Sequence, residues 1–84
     1  MPEPSKNQLI QARKRELIAK GFRPGIVSKA MDWAVGSAEG MASYTMKIDA
    51  SDGRFEGLTL DFLPRYLQDA EKWIKAFVGE PEEQ

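Results

Sequence analysis

The side chains here that could do chemistry are carboxylates, hydroxyls, amines and aromatic rings, because the 84 residues include no Cys and no His. That excludes disulfide scaffolds, thiol nucleophiles, Cys/His zinc or haem sites and imidazole acid–base catalysis. The densest acidic cluster is Asp49, Ser51, Asp52 and Glu56 around Gly53. A calcium loop of the EF-hand type needs oxygen ligands at positions 1, 3 and 5, Gly at 6 and Glu at 12. With Gly53 at position 6, those ligand positions hold Ile48, Ala50, Asp52 and Thr59, so three ligands are missing. The segment reads as a solvated turn in which Asp and Gly supply the backbone geometry. No motif sets a Ser beside an activating Lys, and 13 acidic residues place some carboxylates together without marking a catalytic pair. The expectation is a protein that is not an enzyme and has no cofactor and no metal.

Charge is the next signal. Residues 1–30 carry seven basic residues against two acidic, and residues 31–84 carry five basic against eleven acidic. The basic set is Lys6, Arg13, Lys14, Arg15, Lys20, Arg23 and Lys29. On a helix followed by a Gly-containing turn and a second helix, this set offers phosphate contacts to a nucleic acid. Opposing that, consecutive Arg13, Lys14 and Arg15 fan over about 200° of a helix and cannot share one groove face. The chain also has a net charge of −1, which disfavours strong non-specific binding. Nucleic-acid binding through residues 6–29 is therefore the alternative to a protein–protein role.

These side chains need elements to hold them. Apolar residues make up 42% of the chain, which favours a folded core over disorder. Residues 1–7 read as a flexible arm, 8–78 as one small helical domain and 79–84 as an acidic flexible tail, with Gly79 and Pro81 ending the last helix. A first helix is predicted from about Asn7 to Lys20, capped by Ser5 and closed by Gly21, with Phe22 folding back. A second begins near Pro24 and carries Ala30, Ala34, Ala38 and Ala42 as a ridge of small side chains, the spacing that lets another helix come close. It either stops at Gly36, with Ser37 capping a further turn, or continues into Met41–Ile48. The last helix is predicted over 61–78, about 27 Å, with Asp61 as its cap and Pro64 in its first turn. Its apolar positions, from Phe62 through Tyr66, Trp73 and Phe77 to Val78, span about 160°.

Between these helices lies an ambiguity. Ala42, Tyr44, Met46 and Ile48, then Leu58, Leu60 and Phe62, alternate with polar residues as a β-hairpin would. The Ala, Gly, Ser and Met content before Tyr44 favours helix instead. The fold class is all-α, a small bundle of three to four helices. The alternative is α+β with a hairpin at about 42–62.

The stretch Leu17-Ile18-Ala19-Lys20-Gly21-Phe22, followed by Val27, Ala30 and Met31, resembles the first helix, Gly-Phe turn and second helix of ubiquitin-associated three-helix modules. That resemblance implies binding of ubiquitin or another chain through the turn and the third helix. It covers about residues 17–35, with Lys20 where that family usually has an apolar Met. Trp73 reads as core. Trp33, off the centre of its helical face, suits an interface, and Phe22 and Tyr66 are named with it as candidate partner contacts. Residues 1–5 show no leader pattern, and no apolar run approaches the roughly 18 residues of a membrane span. Together these features predict a cytoplasmic, non-membrane interaction or assembly subunit of a larger complex, with self-association as a homo-oligomer among its modes.

Overall fold

The computed structural model describes residues 5–77. Three α-helices, α1 (Lys6–Ala19), α2 (Pro24–Gly40) and α3 (Phe55–Phe77), account for most of them, with a π-helical turn at Met41–Thr45 continuing α2. Among the described residues there is no strand, so the all-α reading holds and the hairpin at 42–62 is excluded. The predicted acidic tail, residues 79–84, lies outside the described residues.

The ends of α1 form as its sequence predicts. Ser5 Oγ accepts from the Gln8 backbone N–H, and the Ser5 N–H donates to Gln8 Oε1 at 2.8 Å, a reciprocal cap. This places the helix start at Lys6, inside the stretch read as an arm. At the other end Gly21 takes a φ of 105°, which a side chain would resist. The N–H groups of Gly21 and Phe22 then return to the carbonyls of Ile18 and Leu17, the Schellman closure. Both Leu17 and Phe22 enter the core beside this turn.

Pro24 occupies the first turn of α2, where its missing N–H costs nothing. The helix runs through Gly36 and Gly40 without stopping. Ala30, Ala34, Ala38 and Ala42 are all fully buried. Small side chains at four-residue spacing let α3 settle closely against α2, with Leu63, Leu67, Ala70 and Ile74 on the facing side. The helix then widens by one residue at 41–45, where the Met46 N–H reaches the Met41 carbonyl at 3.3 Å. Lys47 follows with a φ of 54° and turns the chain away.

α3 begins at Phe55, six residues earlier than predicted, and is therefore about 34 Å long. Asp61 and Pro64 lie inside it, not at its start. The entry is an Asx-type turn: Asp52 Oδ1 accepts from the Arg54 N–H at 2.9 Å, and the Asp52 carbonyl accepts from the Phe55 N–H. Thr59 is buried on the core face, and its hydroxyl donates to the Phe55 carbonyl at 2.8 Å. A polar residue whose hydrogen bond is satisfied locally can thus occupy an apolar position of the helical repeat.

α1 lies along one side of the α2–α3 pair. Leu9, Ala12, Arg13 and Glu16 meet Pro64, Leu67 and Gln68 of α3 around a shallow seam. The chain's extents are 45 × 31 × 17 Å, the shape of a slab.

Candidate interaction surface

The opposite side of the pair carries a row of aromatic rings. Along α3, Tyr66 and Trp73 are about 160° around the helix from Pro64 and Glu71, which face α1. Trp33 of α2 stacks on Trp73 with centroids 5.9 Å apart and planes 21° apart. Tyr66 meets Trp33 edge-on at 5.8 Å, and Phe77 tilts against Trp73 at 5.2 Å. These are the offset and T-shaped geometries that aromatic quadrupoles favour. Trp33, Tyr66 and Trp73 are half-buried against the core. Phe77 is 74% exposed, so the row runs from core to solvent. No other element of the described chain covers this edge.

The candidate contacts therefore separate. Trp33 and Tyr66 are in one cluster and reach the surface. Phe22 is only 5% exposed and belongs to the core, which corrects its assignment as a partner contact. Its ring is directed inward because the closure of α1 seats it beside Leu17. The resemblance to ubiquitin-associated modules implied binding through this turn, and the Phe22 ring of the turn is buried. Trp73, expected as core, is half-buried and stacked at the edge. Phe77 and the outer side of Trp73 were hidden in the sequence within the core stripe. The width of that stripe, wider than one neighbouring helix covers, is the signal that marks them.

The basic residues do not form one surface. Arg13 clamps α1 to α3: Nε donates to the Leu67 carbonyl at 2.9 Å and Nη2 to the Gln68 carbonyl at 3.2 Å, while Nη1 meets Glu16 at 3.3 Å. Lys20 donates to Glu71 Oε1 at 2.6 Å, and Lys75 meets the other Glu71 oxygen at 3.3 Å. The Lys20 ammonium, helped by Lys75, holds the Glu71 carboxyl below its usual range. Lys6 lines a cleft of about 300 Å³ with Glu39, Asp52 and Glu56, an acidic neighbourhood. Arg15, Arg23 and Lys29 are exposed, and Lys14 is half-buried. Arg13 and Lys20 thus serve the fold, Lys6 sits among carboxylates, and the basic residues are not gathered on one face.

The acidic loop is likewise engaged with its neighbour. The Arg54 guanidinium donates to both Asp52 oxygens, at 3.2 and 3.0 Å, and holds that carboxyl below its usual range. Among the described residues no three or more Asp or Glu converge as metal ligands. Beside this loop a groove of about 510 Å³ is lined by Met46, Ile48, Arg54, Gly57, Leu58, Leu60 and Asp61.

Comparison with protein-family models, curated proteins and solved structures finds no match to this chain. No described helix is long and apolar enough to cross a membrane.

Proposed function

We propose that this chain is a non-enzymatic protein-interaction or assembly subunit that works through the edge formed by Trp33, Tyr66, Trp73 and Phe77. The observation that carries this reading is the aromatic row itself. Large rings at the surface bury much area at little conformational cost, which makes them frequent anchors of protein interfaces. An indole stack that ends in a mostly exposed Phe77 is an incomplete apolar cluster, and a partner's side chains would complete it.

The test uses the full chain at native abundance in the cells that express it. In native extracts, size-exclusion chromatography should find the wild-type chain well above its own 9.4 kDa. Phe77→Glu, at a position already open to solvent, should keep its helical content and elute near the mass of the free chain. Equal elution of the two forms, with no crosslink from a photoreactive residue at position 77, would overturn the reading.

A further inference from the structure

We infer that the aromatic edge is self-complementary and that a second copy of this chain occupies it, α3 running antiparallel to α3. This inference rests on the proposed role of the edge and names its occupant. Exposed surface, charge and shape lead to it.

The first is surface left over. On the edge away from α1, Trp33, Tyr66 and Trp73 stay partly exposed and Phe77 is 74% exposed. The least dimension is 17 Å, because α1 covers one side of the α2–α3 pair and no described element covers the other.

The second is charge. On the inner flank of α3, Glu71 is satisfied by Lys20 and Lys75. On the aromatic flank, Asp69 is half-buried and Lys72 exposed, and neither forms an ion pair among the described residues. They stand three residues apart with opposite signs. A two-fold axis crossing α3 midway between Ala70 and Glu71 brings Asp69 of each copy level with Lys72 of the other, twice. Such reciprocity is what an isologous interface requires.

The third is shape. The same axis sets exposed Arg65 of one copy level with exposed Ala76 of the other. A long side chain then lies over a short one at both ends, and the indoles sit between them. Apolar burial in the middle with charge pairs at the rim is the usual division of such a surface. The whole contact should exceed about 1,000 Å², the size of a specific interface.

Sedimentation equilibrium of the purified chain between about 5 and 300 μM tests this, together with two charge reversals, Asp69→Lys and Lys72→Asp. The wild type should be a reversible dimer. Each reversal alone sets like charges against each other twice and should weaken dimerisation at least about tenfold, with helicity unchanged. Mixing the two variants restores both attractive pairs, so a heterodimer should form within about threefold of wild-type affinity. A wild-type chain that stays monomeric at about 300 μM overturns self-pairing. The behaviour of Phe77→Glu in native extracts then decides separately whether the edge serves a foreign partner. A dimer indifferent to both reversals overturns this axis.

Discussion

Lys47 and Gly36 are the reverse of what local backbone preference would choose. Lys47 holds a φ of 54°, the left-handed region in which a β-carbon is crowded, at the point where the chain leaves the π-turn. Gly36 lies in mid-α2, and a β-carbon built there meets nothing within 4 Å. Lys47→Gly should therefore raise stability by about 0.5–1 kcal/mol, the relief of strain exceeding the added freedom of the unfolded chain. Gly36→Ala should raise it by about the same through helix propensity. Both would appear as a higher urea midpoint at constant slope. Trp73 illustrates what a sequence conceals at this scale. Its place in the apolar stripe predicts a core ring whose loss would cost about 3–5 kcal/mol. Because the ring is only partly buried, Trp73→Ala should cost less than the full core value of about 3–5 kcal/mol, and the variant should remain folded at 25 °C by circular dichroism. The stripe gave the ring's direction. Its depth depended on where α1 came to rest, which no local pattern encodes.

Between elements, the most extensive contact is that of α2, with its buried alanine ridge, and α3. Ala34 is fully buried there, and Ala34→Leu would push the helices apart or force strained rotamers, at about 1–3 kcal/mol or more. Leu at solvent-facing Gly36 should cost little by comparison, and the two midpoints measured together separate crowding from helix propensity. α1 is joined to α3 by charge as well as by packing. The folded Glu71 carboxyl is held below its usual range, foremost by the hydrogen bond from Lys20. Its contribution to stability is therefore complete above the ordinary glutamate pKa of about 4.3 and is lost as the pH falls through the lowered value. Urea titrations from pH 7 to pH 2.5 should show a larger acid loss for the wild type than for Glu71→Gln. Helix ends were legible at Ser5, Gly21 and Pro24, which act as their types require. The start of α3 was not. Gly57 and Thr59 break the apolar repeat, and Thr59 occupies a buried position of the helix with its hydroxyl satisfied by the Phe55 carbonyl. The Arg13 clamp was equally invisible, because its acceptors are backbone carbonyls that every residue possesses.

At the scale of the molecule, the core is unevenly shared. α2 and α3 supply most of the fully buried side chains, whereas Leu17 is the single buried residue of α1. Stability should be graded accordingly, with α1 opening at lower free energy than the pair it rests on. Native-state hydrogen exchange should find the amides of 10–18 exchanging before those of 30–38 and 63–74, the gap widening at high salt as the Lys20–Glu71 contact is screened. Exchange of all three helices at one common free energy would mean a fully cooperative unit instead. The stack at the α2–α3 edge has an optical consequence. The sequence contains two tryptophans, and both are in that stack. Every indole signal the protein emits or absorbs thus originates at one contact, with no third tryptophan elsewhere to dilute it. Release of α1 would leave the near-ultraviolet spectrum almost unchanged, separation of α2 from α3 would erase it, and anything that settles on the edge would alter it directly. The molecule carries a built-in reporter at the surface where its partner is expected, readable without a label.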